Sequence, residues 1–280
     1  MPIHDQGYRR YTGARSVLGR RWLVIARAGI KTLFTYKAFI GLLLLSWFPF
    51  LIRSVQIYVS TSVPQARELV GITPATFRDF LDQQSIWVFF ITIYVGSGLI
   101  ANDRRANALQ IYLSKPLSRL EYIVGKLAIL LTFLLLVTGV PGLLLLLLQV
   151  LFTGDFTFVR QNLHLLPAIT LYSIIQAVVF SATMLALSSL SKSSRYVAIL
   201  YAGVIFLSQA VYGVLREVTG DTTVAWVSMP ANMRQIGAAI FRVPLEYRSP
   251  WPVSALVIAA VVGVSALVLD RRVRGVEIVT

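Results

Sequence analysis

The sequence predicts an all-α membrane protein with six transmembrane helices, and three observations lead to that fold class. Hydrophobic residues make up 56% of the 280 residues and charged residues only 14%, against roughly 45–50% and about 25% in ordinary globular domains. The mean hydropathy is +0.73. Six apolar segments approach the roughly 20 residues that a helix needs to cross a bilayer core about 30 Å thick.

The predicted spans belong to one domain that occupies residues 1–280. An interfacial and cytoplasmic N-terminal segment is expected over residues 1–33, the six-span region over 34–269 and a cytoplasmic tail over 270–280. The spans centre on Phe34–Ile52, Ile86–Ala101, Leu127–Phe152, Leu165–Leu190, Tyr196–Leu215 and Pro252–Leu269. Pro141 is expected to kink the third span, because proline removes a backbone donor.

Before the first span, the sequence predicts an amphipathic helix. Basic side chains at Arg20, Arg27 and Lys31 recur at helical spacing, opposite an apolar face that includes Trp22 and Ile25. A helix with a basic and an aromatic face is expected to lie in the headgroup interface of the membrane.

The distribution of Lys and Arg predicts that both termini lie in the cytoplasm. With that orientation, 18 of the 26 basic residues are on the inner side, and the net charges are +13 inside and +1 outside. This asymmetry is the positive-inside bias of multi-pass membrane proteins. We therefore predict a multi-pass protein of the inner (plasma) membrane that contacts lipid, and we attribute the formal charge of +14 to topology and not to binding of nucleic acid.

Two short amphipathic helices are predicted on the outer face. One begins with Thr73 as N-cap and Pro74 as its first residue, and the other follows Pro230. Their apolar faces comprise Phe77, Phe80 and Leu81 in the first helix and Met233, Ile236 and Ile240 in the second. We expect both helices to lie on the outer leaflet or partly within it.

Several functional classes lack the residues that they require. The predicted spans carry no Asp, Glu or Lys near the bilayer centre, whereas ion-coupled transporters and intramembrane hydrolases use ionisable groups there. The chain has no cysteine and no G-x-x-x-x-G-K nucleotide-binding motif. The protein is therefore predicted not to be an enzyme, and we assign no catalytic, cofactor-binding or metal-binding residue.

The second and third predicted spans are joined by the polar stretch Asn102–Lys126, which we call the polar island. Helix connections usually need only a few residues, so a long and ordered connection indicates contact with something outside the bilayer. Its first helix is predicted to be capped by Asn102 or Asp103 and to carry Leu109 and Leu113 on one face.

The second half of the polar island is predicted to start a new helix. Lys115-Pro116 breaks the first helix, and Ser118 with Glu121 has the spacing of a capping box. The helix that follows is expected to run into the third span.

The polar island carries the pattern D-R-R-x-x-A-L-x-x-Y-L-x-x-P-L-S-R-x-E-Y-x-x-G-K. Its residues are Asp103, Arg104, Arg105, Ala108, Leu109, Tyr112, Leu113, Pro116, Leu117, Ser118, Arg119, Glu121, Tyr122, Gly125 and Lys126. This pattern resembles the permease subunits of ABC-2 type exporters, particularly the group with the nitrous-oxide-reductase maturation and gliding-motility permeases. Many members have Gly-Thr-Leu where this chain has Asn107-Ala108-Leu109, so the glycine turn is expected to be absent and the helix more continuous.

The resemblance implies a permease with a type V ABC exporter-like fold, a second permease copy as homo- or heterodimer, and two separate ATPase subunits that hold ATP and Mg. It also implies that the polar island is the coupling helix, supported by the N-terminal amphipathic helix. The residues assigned to ATPase coupling are Asp103, Arg104, Arg105, Leu109, Tyr112, Leu113, Lys115, Pro116, Ser118, Arg119, Glu121 and Lys126.

The leading functional hypothesis is an ATP-driven export permease. A non-transporting membrane anchor or scaffold that recruits a soluble partner is the alternative, and a channel is less favoured because the sequence shows no filter segment. The apolar spans favour a lipid-like or amphiphilic cargo. A substrate path is hypothesised between protomers along spans 2 and 5, lined by Tyr94, Ser97, Tyr201, Ser208, Gln209 and Tyr212.

Overall fold

The computed structural model describes residues 21–62, 71–108, 117–154 and 157–273. All regular elements within these ranges are helices, which confirms the all-α prediction. They are α1 (Arg21–Leu33), α2 (Lys37–Leu45), α3 (Phe48–Ser62), α4 (Pro74–Gln83), α5 (Ser85–Gly96), α6 (Ala101–Arg105), α7 (Arg119–Val137), α8 (Gly139–Thr153), α9 (Thr157–Gln161), α10 (Leu165–Leu190), α11 (Ser194–Thr219), a 3-10 turn (Thr223–Val227), α12 (Met229–Phe241) and α13 (Trp251–Arg272).

Six helical segments are long and apolar enough to cross a membrane, as predicted. They are span 1 (Lys37–Ser62), span 2 (Pro74–Arg105), span 3 (Arg119–Thr153), span 4 (Leu165–Leu190), span 5 (Ser194–Thr219) and span 6 (Trp251–Arg272). Spans 1, 2 and 3 each consist of successive helices joined end to end. Span 4 has the predicted bounds, and the other five helical segments extend beyond the predicted apolar runs at one end or at both ends.

The breaks within spans 1, 2 and 3 meet at the buried side chain of Gln84, which lies between α4 and α5. Its Nε2 donates to the carbonyl oxygen of Ser46 at 3.1 Å and to that of Val137 at 2.8 Å. Pro141 has no N–H to bond with Val137 four residues earlier, and Gln84 supplies that donor. A buried carbonyl without a partner would cost about 1–3 kcal/mol.

Span 4 is the central helix of the bundle. It packs against spans 2, 3, 5 and 6, and its buried residues surround the helix instead of forming one stripe. Small side chains such as Ala177, Ser181 and Ala182 are among them. Small residues let helix backbones approach closely, so span 4 can contact four neighbours at once.

The N-terminal helix α1 has the two predicted faces. Trp22, Ile25 and Ala26 lie on the side that packs against α7 of span 3, whereas Arg27 and Lys31 are exposed. Arg20 lies outside the described residues. Protein thus covers part of the apolar face, and the position of α1 in the headgroup interface stays a prediction.

The two short helices predicted for the outer face bury their apolar faces within the bundle. Phe77, Phe80 and Leu81 of α4 are buried at 1% exposure or less, and Met233 and Ile236 of α12 are buried as well. Helix α4 is the first helix of span 2, and α12 packs against spans 4 and 6. Apolar periodicity identified these faces correctly, but protein and not lipid covers them.

Helix α4 begins as the sequence predicted. Thr73 has extended backbone angles and Pro74 occupies the first turn. The backbone N–H of Thr73 donates to Oγ1 of Thr76 at 3.2 Å. A side chain thus satisfies one of the polar groups at the start of span 2.

Gly125 permits the close contact between α1 and span 3. A Cβ at this position would lie 2.9 Å from both the carbonyl oxygen of Trp22 and the Cβ of Ile25. We expect Gly125→Ala to push α1 away from span 3 and to reduce the free energy of unfolding by about 1–3 kcal/mol. The melting temperature of the purified protein in detergent measures this effect.

Gly41→Ala is the matched control, because a Cβ at Gly41 meets nothing within 4 Å. It removes a helical glycine without a clash and should leave the stability unchanged or raise it by up to about 1 kcal/mol. Equal melting temperatures for the two variants would show that Gly125 is not a close contact.

Candidate functional site

The first half of the polar island departs from the predicted helix. Helix α6 starts at Ala101 after Ile100, and no side chain caps it, so the prediction that Asn102 or Asp103 is its N-cap is wrong. The helix ends at Arg105. Both predicted caps therefore lie inside α6, where their side chains are available for other contacts.

Asn107 makes the turn for which no glycine was available. Its φ is +53°, a left-handed conformation that asparagine adopts more readily than most residues. The expectation of a more continuous helix through this position is therefore wrong. The assigned residues Leu109, Tyr112, Leu113, Lys115 and Pro116 lie outside the described residues.

The second half of the polar island confirms the predicted capping box. The backbone N–H of Glu121 donates to Oγ of Ser118 at 3.1 Å, and the N–H of Ser118 donates to Oε2 of Glu121 at 2.9 Å. The backbone N–H groups of Ser118 and Glu121 at the start of α7 each have a side-chain acceptor. The side chains of Ser118 and Glu121 thereby fix the start of the first helix of span 3.

Asp103, Tyr122 and Lys126 form a cluster that joins the two halves of the polar island. Oδ2 of Asp103 lies 2.7 Å from Nζ of Lys126 and accepts a 2.7 Å hydrogen bond from the hydroxyl of Tyr122. Lys126 is only 8% exposed. Tyr122 and Lys126 are four residues apart and share a helix face, so one carboxylate on α6 holds both side chains of α7.

Arg104 and two serines attach the polar island to span 4. The guanidinium of Arg104 donates to the carbonyl oxygen of Ser189. Oγ of Ser188 accepts the N–H groups of Ile100 and Ala101 at 3.1 and 3.0 Å, and it donates to the carbonyl oxygen of Ser97 at 3.0 Å. Ser188 thus satisfies backbone groups at the junction of α5 and α6.

Sequence reasoning did not assign Ser188 or Ser189 to the site. Their only signal was a pair of hydroxyl residues at the end of a predicted span, a pattern that also fits ordinary helix packing. Their importance depends on where α6 lies, which the sequence did not reveal.

The side chains of the polar island that face outward are distinct from those that hold it together. Arg105 and Arg119 are exposed, and Leu120 is 72% exposed. Asp103 and Lys126, by contrast, form an ion pair with each other. Among the described residues of the polar island, Asp103 and Lys126 are therefore less available to a partner than Arg105 and Arg119.

The six residues of the hypothesised substrate path lie in different environments. Tyr94 and Ser97 border an open cavity of about 420 Å³ beside Asp103 and Lys126. Tyr94 also stacks on the ring of Phe39 at 5.5 Å.

The other four path residues take part in packing. Tyr201 is buried and stacks on Phe89 at 5.7 Å, and Tyr212 packs edge-on against Tyr247. Ser208 accepts the N–H of Met229 at 3.4 Å, and Gln209 accepts the hydroxyl of Ser228 at 2.6 Å. Among the described residues, the structure therefore does not bring the six side chains into one cavity.

The six apolar helical segments and the anchored polar island define a multi-pass, helical membrane protein. Residues 23–236 match the family model described as ABC-2 family transporter protein. The chain therefore belongs to this family, which supplies the permease component of ABC exporters and is not a catalytic domain. Membership implies an ABC ATPase as partner and a dimeric arrangement. No curated protein is significantly similar to the chain.

The ion pair in the Asp103 cluster predicts a large effect of single substitutions. Lys126→Met leaves the partly buried carboxylate of Asp103 beside an apolar side chain, and we expect a loss of about 1–3 kcal/mol in the free energy of unfolding. Denaturation of the purified protein measures the loss. The double variant Asp103→Asn with Lys126→Met removes both charges and should recover much of the stability.

Arg248→Gln provides the control for removal of a basic side chain. Arg248 is 79% exposed and lies 3.6 Å from Asp221, so its removal should leave the melting temperature unchanged. If Lys126→Met were as harmless as Arg248→Gln, the Asp103 cluster would not stabilise the fold.

Proposed function

We propose that this chain is the permease subunit of an ATP-driven exporter that assembles with a second permease copy and two copies of a separate ATPase. ATP and Mg²⁺ are held by the ATPase subunits. The polar island and α1 form the surface that the ATPase contacts. We assign the chain to the group with the nitrous-oxide-reductase maturation and gliding-motility permeases, on the pattern from Asp103 to Lys126.

The attachment of the polar island is the observation that carries this proposal. Asp103 of α6 binds Lys126 of α7, and Arg104 binds span 4. Gly125 lies against α1. A displacement of the polar island by an ATPase would therefore move spans 2, 3 and 4 and the N-terminal helix together, because these contacts couple them.

The charge distribution supports the proposed orientation. In an inner-membrane protein with both termini in the cytoplasm, the polar island is on the inner side, where 18 of the 26 basic residues lie. That is also the side on which cytoplasmic ATP is available. The exposed Arg105 and Arg119 are then accessible to a soluble subunit.

The direct contact with the ATPase can be tested by charge reversal at exposed positions. We expect Arg105→Glu with Arg119→Glu to abolish co-purification of the ATPase with the tagged permease, while the melting temperature of the permease stays unchanged. Both side chains are exposed, so the substitutions change the surface and not the core. Mass spectrometry of the purified complex identifies the ATPase subunit by its Walker motif.

Two further variants separate surface contact from folding. Arg248→Glu reverses an exposed charge far from the polar island and should retain the ATPase. Arg104→Glu should lower the melting temperature, because Arg104 binds Ser189. Retention of the ATPase by the double variant would contradict the proposed contact. Capture of a soluble partner without a Walker motif would instead favour the membrane scaffold.

A further inference from the structure

A second polar region lies at the end of the bundle opposite the polar island. Span 2 carries Asp82 near one end and Asp103 near the other. Beside Asp82, a partly enclosed cavity of about 260 Å³ lies between spans 2, 4 and 5 and α12. The residues that matter for its chemistry are Asp82, Phe89, Tyr172, Gln176, Phe180 and Arg234.

The carboxylate of Asp82 is held in place on the cavity wall. Its Oδ1 accepts the hydroxyl of Tyr172 at 2.9 Å, and its Oδ2 lies 3.1 Å from the guanidinium of Arg78. Arg78 also pairs with Asp79 and Glu246. The carboxylate is therefore fixed by partners from two other positions in the fold.

Arg234 is held beside the cavity by different contacts. Its guanidinium lies 3.8 Å from Oε2 of Glu246 and 5.8 Å from the centre of the Tyr247 ring. Its side chain is 38% exposed, so it retains donors for a ligand. The ion-pair cluster contains the acids Asp79, Asp82 and Glu246 and the bases Arg78 and Arg234. It carries one net negative charge.

The side-chain amide of Gln176 has an unused hydrogen-bond acceptor. Gln176 is 1% exposed, and its Oε1 has no hydrogen-bond partner. Leaving a buried acceptor unpaired is costly. Because Gln176 lines the cavity, a donor placed in the cavity can satisfy it.

From these observations we infer that the cavity binds an organic ammonium group. An ammonium donates hydrogen bonds to the free Oε1 of Gln176, and its positive charge is favourable near the carboxylate of Asp82. The rings of Phe89, Tyr172 and Phe180 also line the cavity, and aromatic rings attract ammonium groups.

The volume and Arg234 define the ligand further. About 260 Å³ far exceeds the roughly 10–15 Å³ that one water requires, but it lies below the usual range of about 300–1,000 Å³ for sites of drug-sized ligands. A small zwitterion fits, with its ammonium near Gln176 and its anionic group near Arg234. The headgroup of phosphatidylethanolamine is such a zwitterion, and free phosphoethanolamine carries the same two groups with additional negative charge on its phosphate monoester.

Binding to the purified permease, without any ATPase, tests this site. Native mass spectrometry of the delipidated protein compares phosphatidylethanolamine with phosphatidylglycerol of the same acyl chains. Calorimetry with phosphoethanolamine tests the soluble source. We expect phosphatidylethanolamine or phosphoethanolamine to bind, and Gln176→Leu to weaken that binding by about tenfold or more.

Gln149→Leu is the matched control, because Gln149 is buried and its Oε1 also lacks a partner, but it lies on α8 and does not line the cavity. This variant should bind like the unsubstituted protein. Gln176→Asn keeps the amide and withdraws it from the cavity, so it serves if Gln176→Leu fails to fold. It should also weaken binding.

The outcomes distinguish a lipid ligand from a soluble one. They also distinguish the ammonium site from the proposed ATPase contact. Binding of the lipid assigns the site to a headgroup, and binding of phosphoethanolamine alone assigns it to a soluble amine. Equal binding of both lipids without binding of phosphoethanolamine, or equal effects of Gln176→Leu and Gln149→Leu, would overturn the inference. Arg105→Glu with Arg119→Glu should leave this binding unchanged, so failure of the ATPase contact is distinguishable from failure of the site.

Discussion

The ion pair between Asp103 and Lys126 is the contact on which the geometry of the polar island depends. Burying two charges is favourable only when each finds its partners. Here the carboxylate of Asp103 meets both the ammonium of Lys126 and the hydroxyl of Tyr122. The pair joins α6 to α7 directly, so it fixes how these two helices lie against each other.

Other contacts of the same region follow from that ion pair. Gly125 lies within the turn of α7 that carries Tyr122 and Lys126, and it faces the backbone of α1 at Trp22. Arg104 follows Asp103 and reaches span 4 at Ser189. The alignment of α6 against α7 thus places α1 and span 4 as well. Charged residues in this part of the chain therefore have architectural roles in addition to any contact with a partner.

Sequence reasoning predicted the six spans, the caps at Thr73 and Ser118 and the two faces of α1, because these depend on local composition and spacing. It failed where the outcome depended on neighbouring elements. Phe80 marks an apolar face, but periodicity does not distinguish a covering of lipid from one of protein. Asp103 near a helix start fits a cap, yet Lys126 competes for the same carboxylate and binds it.

The position of Gln84 has a consequence for how the bundle can bend. Its amide bridges the interruptions of spans 1 and 3 from the interruption of span 2. Straightening or rotating one of these helices alone would pull a carbonyl oxygen away from its donor in a region with no water to replace it. The three interruptions thus form a common pivot. Tilting of one of these spans alone would break at least one of the two hydrogen bonds, so Gln84 couples the tilts of the three spans.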